Sequence, residues 1–234
     1  MNNYFEINYF KRIAKANYIL LALYLAISIT AHTIANRLIV IDGEPIISAG
    51  LIYMAVFVIT DIFASYNARS LVILMISLEA LTNLFFILYT NIIAHMPYPD
   101  FFHNAASYQS VFSPIVILYA ANLGGTFISA IVDLFIFYYL YKNKRWPFFL
   151  ASFLSSIVTI SAYTYVTDYF GFRHSYPHHV MTLTFINLLT NFITLLAYSI
   201  FGQFIVSFIQ KMLNKQSSHD QRLDYLARNK VADV

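Results

Sequence analysis

The sequence predicts an all-α membrane protein, with six transmembrane helices in one bundle and both termini in the cytoplasm. Three observations lead there. Of 234 residues, 59% are hydrophobic and 18% aromatic, but only 11% are charged. A soluble domain has about a quarter of its residues charged, enough polar surface to cover its core in water. This chain lacks that covering, so its solvent is largely lipid. Crossing a hydrocarbon layer of about 30 Å takes ~20 apolar residues in a helix. Six segments reach that length, roughly residues 17–36, 46–66, 70–94, 111–141, 147–170 and 180–210. Finally, with the N-terminus inside, only Arg37 and Arg173 of the 14 Lys and Arg residues fall outside. That asymmetry orients membrane helices.

The elements follow in order. Residues 1–16 form a cytoplasmic segment in which "KRIAK" flanks the first crossing. The first apolar run is already long enough to span, so it reads as a helix rather than a cleavable signal. Asp42, Gly43, Glu44 and Pro45 break the chain before the second helix, and Tyr66 to Arg69 break it before the third. "HMPYPDFFHNAASYQS", "KNKRWP" and "FRHSYPHH" precede the fourth, fifth and sixth. The fourth and sixth segments exceed one crossing and are expected to tilt or project. The transmembrane domain thus covers residues 17–210, and residues 211–234 form a polar cytoplasmic tail, either a short helix or a frayed end.

Several chemistries are excluded early. With no cysteine there is no disulfide, thiolate metal site or cysteine nucleophile. A net charge of +3 is too small to suggest a nucleic-acid partner. No Gly-rich phosphate loop is present, so no cofactor is expected and ATP-driven action would require a partner subunit. His174, His178 and His179 lie together, but Pro177 breaks the helix that would align them, so they read as loop histidines with no metal. No G-x-S-x-G elbow or H-E-x-x-H pair occurs.

The polar residues within the apolar runs carry the functional information. A carboxylate near a helix centre costs ~2.5–3.5 kcal/mol on insertion scales, so it points to function by default. Asp61, Glu79 and Asp133 are three such acids. Polar residues also recur at the helical period: Ser28, His32 and Asn36; Tyr53, Phe57 and Asp61; Glu79, Asn83 and Thr90; Ser152, Ser156, Thr159 and Tyr163; Asn187, Asn191, Thr194 and Tyr198. Lipid cannot satisfy these groups, so they should face inward. For a single Ser or Thr the simpler account is an interhelical hydrogen bond worth about 0.6 kcal/mol. Five inward rows plus three acids favour a polar central cavity. Ala121, Gly125, Ser129 and Asp133 form a small-residue seam for close helix approach, with Gly124 beside it.

"IANRLI", "ISAGLIYMAVFVITD" with the following "AR", "VDLFIFYYLYKNKRW" and "ASFLSS" together resemble the VUT family of bacterial queuosine-precursor transporters. The resemblance covers roughly residues 30–200. It implies a six-helix importer of the inner membrane and carries over Asn36, Asp61, Arg69 and Asp133 by position. The chain departs from the family at Tyr53 and Met54, where Phe-Pro is usual. It also departs at Ile157 and Ile160, where an amide and an acid are usual, near Thr190, where a lysine is expected, and near Ile200, where a proline is. The implied ligand is a flat, neutral cyano-deazaguanine base with a guanine-like edge of adjacent N–H donors. Asp61, Asp133 or Glu79 would accept that edge, and Tyr53, Phe57 and Tyr163 would stack on its faces. Asn83 and Asn187 complete the expected substrate-binding set.

Arg69 is expected to gate the site or to pair with Asp61 eight residues before it. That spacing is about two helical turns, so a direct bridge would need the helix end to unwind or the Arg side chain to fold back. The expected partners are the lipid bilayer and a small-molecule substrate, with a homo-oligomer or partner subunit left open. Two other classes remain at this point. One is a scaffold or binding subunit that uses the small-residue seams as its interface. The other is an intramembrane enzyme that depends on His32, Glu79 or Asp133.

Overall fold

The computed structural model describes residues 2–35, 37–173 and 175–232, with side chains described for 11–35, 37–116, 119, 125–173 and 175–211. Six α-helices run as α1 (Asn2–Thr33), α2 (Gly50–Tyr66), α3 (Arg69–Ala94), α4 (Ala105–Tyr138), α5 (Phe148–Phe172) and α6 (Val180–Ala232). A π-helical turn, Tyr139–Asn143, extends α4. Among the described residues, five helical stretches are long and apolar enough to cross a membrane: Lys11–Thr33, Arg69–Ala94, Gly125–Asn143, Phe148–Phe172 and Val180–Lys211. The chain is a multi-pass helical membrane protein.

The expected second helix needs correction at its start. Residues 46 and 47 belong to a β-hairpin, not to the helix. Strands β1 (Leu38–Ile41) and β2 (Glu44–Ile47) pair antiparallel, with Leu38 opposite Ile47 and Ile41 opposite Glu44. Asp42 and Gly43 form the two-residue turn, with φ of 52° and 86°. Asp-Gly is the sequence for which both central residues tolerate positive φ, the geometry that matches strand twist in a tight hairpin. β-branched residues on either side suit strands. Periodicity alone could not separate this short apolar run from a helix end. Ile47 then packs with Phe172 and Val180, so the hairpin folds back over one end of the bundle.

The helix that remains, α2, has 17 residues, about 26 Å at 1.5 Å per residue. Only Leu51, Ile52 and Tyr66 within it are not buried. A helix apolar all round belongs inside a bundle, and α2 touches each of the other five. The membrane-facing surface comes from other helices. On α3, Leu71, Leu74, Leu78, Leu81, Phe85 and Leu88 are exposed at alternating spacings of three and four, one continuous apolar face. The polar rows lie inside, as expected: Ser28, Asp61, Asp133, Ser152 and Ser156 are all fully buried. A fourth buried acid, Asp168, adds to the three foreseen.

The α4 seam is used within the chain. Gly125 faces Tyr163 and Thr167 of α5 at ordinary contact distances, 3.5 Å or more from a built Cβ. The side chain of Ala121 and position 124 lie outside the described set. Gly202 of α6 is tighter. A Cβ there would meet Phe148 and Val58 at 2.8 Å each. Gly202→Ala is therefore expected to destabilise the protein by about 1–3 kcal/mol through overpacking, whereas Gly125→Ala leaves stability nearly unchanged. Thermal unfolding of the purified variants in detergent checks this, and equal losses would refute the difference.

Candidate functional site

A cleft opens beneath the hairpin, between α1, α2, α5 and α6. The space within it is partly continuous with the exterior. One wall is aromatic. Tyr53 of α2 and Tyr163 of α5 lie nearly parallel, with centroids 6.2 Å apart and an interplanar angle of 27°. His32 of α1 meets the Tyr53 ring edge-on at 5.8 Å. Its Nδ1 lies 2.8 Å from the Ser28 carbonyl oxygen, which holds the ring in place.

The opposite wall is polar and is built from α5 and α6. Asn187 donates through Nδ2 to Asp168 Oδ2 at 2.8 Å. One turn on, Asn191 donates through Nδ2 to Thr164 Oγ1 at 3.0 Å. The Oδ1 atoms of both amides have no hydrogen-bond partner. They crowd the first residue of α2: a Cβ on Gly50 would lie 2.6 Å from Asn187 Oδ1 and 2.8 Å from Asn191 Oδ1. Only glycine lets the helix start so close to both amides. Thr194 Oγ1 donates to the Gly50 carbonyl at 3.3 Å and Tyr198 to the Leu51 carbonyl at 2.9 Å, which fixes α2 against α6.

Behind His32 lies a second polar group. Ser28 donates to Glu79 Oε1 at 2.5 Å, and Asn83 Nδ2 donates to the same oxygen at 2.7 Å and to Ser28 Oγ at 2.8 Å. His32, Glu79, Asn83, Tyr119 and Thr126 line a small crevice. His32 borders both spaces and so forms the partition between them.

A third group lies towards the opposite end of α2. Asp61 and Asp133 face one another across α2 and α4. Ser152 of α5 is turned to Asp61, and Ser155, Ser156 and Thr159 are turned to Asp133. All four carboxyl oxygens lack a hydrogen-bond partner in this arrangement.

The residues expected from the sequence are thus divided among separate places. Tyr53, Tyr163 and Asn187 meet in the cleft. Glu79 and Asn83 sit behind it, and Asp61 and Asp133 sit apart from both. Asn36 lies outside the described residues, as does His174. Arg69 makes no bridge to Asp61. It starts α3 with its guanidinium 4.7 Å from the Phe135 ring centre and 4.9 Å from that of Tyr138. Aromatic faces on α4 attract the cation there, and Tyr138 in turn donates to the Asn67 carbonyl at 2.7 Å. Gly50, Thr164, Asp168 and Asn191 are cleft residues that the reading of the sequence did not assign. Asn191 was visible as a member of the α6 polar row. Asp168 lies four residues after Thr164 on α5, a spacing that could have marked one face.

The model of a family described as "Putative vitamin uptake transporter" matches residues 48–215. The chain belongs to this family. The vitamin uptake transporter match begins at the end of the hairpin and includes the cleft residues of α2, α5 and α6, while His32 on α1 precedes it. Neither a curated protein nor a solved structure matches the chain. The positions where the VUT resemblance predicted an acid and a lysine carry other side chains. Ile160 is fully buried in the core, and the Thr190 hydroxyl donates to the Ile186 carbonyl at 2.9 Å.

Proposed function

We propose that this VUT protein imports a small, flat, donor-rich heterocycle across the bacterial inner membrane, by alternating exposure of a central site and without covalent chemistry. A queuosine precursor, the cyano-deazaguanine base, is the substrate this reading favours. The cleft carries the argument: two tyrosine rings offer faces for a planar ring, and Asp168, Asn187 and Asn191 offer an edge of acceptors and donors beside them. A carboxylate accepting two adjacent N–H groups makes charge-assisted bonds, about twice as strong as neutral ones. Asp168 takes the acceptor role that the sequence alone gave to Asp61, Glu79 or Asp133. Six crossings with both ends cytoplasmic would open this cleft to the outside, the orientation that the Lys and Arg distribution supports.

A bacterium unable to make or import queuosine precursors provides the test. Expression of this chain with the base supplied at low concentration is expected to restore queuosine in tRNA. Asp168→Ala, at unchanged membrane level, is expected to abolish restoration. If the wild-type chain reaches the membrane and restores none, this substrate is wrong.

A further inference from the structure

The Asp61–Asp133 pair has the surroundings of an ion site and no contact with the cleft. Both side chains are fully buried, and neither is satisfied. Ser155 and Thr159 face Asp133, but their hydroxyl protons are already committed to backbone carbonyls of α5. Ser155 donates to the Ser152 carbonyl at 3.1 Å, and Thr159 donates to the Ser155 and Ser156 carbonyls at 3.2 and 3.1 Å. Ser152 and Ser156, each 0% exposed and aimed at the pair, have hydroxyl oxygens without any partner. Two free hydroxyls thus face four unpartnered carboxyl oxygens, and no cation among the described residues is turned to them.

The neighbours of this group supply no positive charge to it. From α1 comes Tyr24, which faces Glu79 and Thr60 as well as Asp133. From α3, Glu79 is engaged with Ser28 and Asn83, and Arg69 is turned to Phe135 and Tyr138. Lys142, in the π-helical turn, donates to the Ser65 carbonyl. The α5 face brings hydroxyls only, and Tyr198 of α6 is turned to Leu51.

The geometry points to a shared proton-binding site formed by Asp61 and Asp133 with Ser152 and Ser156, separate from the substrate cleft, which couples a proton gradient to uptake. Two carboxyls that face one another in a dry interior repel when both are ionised, and one shared proton relieves that repulsion. A proton placed between them supplies a donor and needs no shell of ligands. Sodium is the competing occupant. Asp61 is eight residues from Tyr53 on the same rigid helix, about two turns. Loading the pair can therefore bias the position of α2, which also forms the cleft wall. The coupling rests on the transport reading above, whereas the proton site does not.

Infrared difference spectra of the full-length protein in lipid, between low and high pH, test the site without substrate. A carbonyl band of a protonated carboxyl is expected to titrate. It should shift when aspartate is carboxyl-labelled with carbon-13. It should be lost in both Asp61→Asn and Asp133→Asn, and persist in Glu79→Gln. The isotope shift assigns the band to an aspartate in wild-type protein, and persistence of the band in Asp168→Asn separates the pair from the cleft acid. An unshifted band, a band retained in both Asn variants, or its removal by sodium against potassium at constant pH would each overturn the proposal. In liposomes with the base as probe, Asp133→Asn is expected to keep downhill exchange and lose pH-driven accumulation. Accumulation equal to wild type would overturn the coupling. A wild-type protein that moves no base defeats the substrate reading alone.

Discussion

Gly50→Ala is expected to abolish uptake while leaving the chain folded. The built Cβ would sit 2.6 Å from Asn187 Oδ1 and 2.8 Å from Asn191 Oδ1, distances that no real Cβ keeps. The atoms in the way are ends of side chains, so the clash is relieved by moving amides rather than backbone. Each amide that turns gives up its hydrogen bond, Asn187 to Asp168 and Asn191 to Thr164. Those bonds set the polar edge of the cleft. Displacement by 1 Å at a binding constellation is on the order of a hundredfold effect, and the stability change stays near 1–3 kcal/mol. Uptake in cells alongside thermal unfolding in detergent separates the two. Normal uptake by Gly50→Ala would show that this edge does not touch the substrate.

The second large effect lies behind His32. Glu79→Leu is expected to destabilise the protein by about 3 kcal/mol, because it leaves Ser28 and Asn83 without their shared acceptor in a buried place. Glu79→Gln retains an acceptor oxygen of the same reach and is expected to stay within about 1 kcal/mol of wild type. Removing the acid's charge and removing its acceptor thus give different results. Glu79 binds α1 to α3 through Ser28, since Ser28 donates to Glu79 and accepts from Asn83. Equal destabilisation in the two variants, measured by unfolding, would mean that ionised Glu79 rather than its hydrogen bonding holds the pair of helices.

The three separate polar groups also bear on the other classes considered. Gly125 of the α4 seam meets Tyr163 and Thr167 of α5 within the same chain. His32 and Glu79 border one small space behind the cleft, but Asp133 does not join them: it faces Asp61 and α5. An uptake protein with a cleft and distinct internal polar groups accounts for this division better than a single reactive centre does.

The sequence by itself determined the solvent, the all-helical membrane class and the inward direction of the polar rows. These are local properties. Whether a segment is apolar for ~20 residues, or polar every fourth residue, depends only on neighbours along the chain. The buried state of Ser28, Asp61, Glu79, Asp133, Ser152 and Asn187 could be read in this way. What the sequence could not supply is which inward rows meet. Asp61 and Tyr53 share one face of α2, and nothing local says that one opens to a cleft and the other faces Asp133. Asp168 was not singled out in the sequence, and only the packing of α6 places Asn187 against it. The hairpin was hidden because residues 44–47 continue into an apolar helix, and only pairing with Leu38–Ile41 distinguishes strand from helix start. Tertiary structure decided the site, because a binding edge is made from residues of different helices and their relative depth is set by packing around α2.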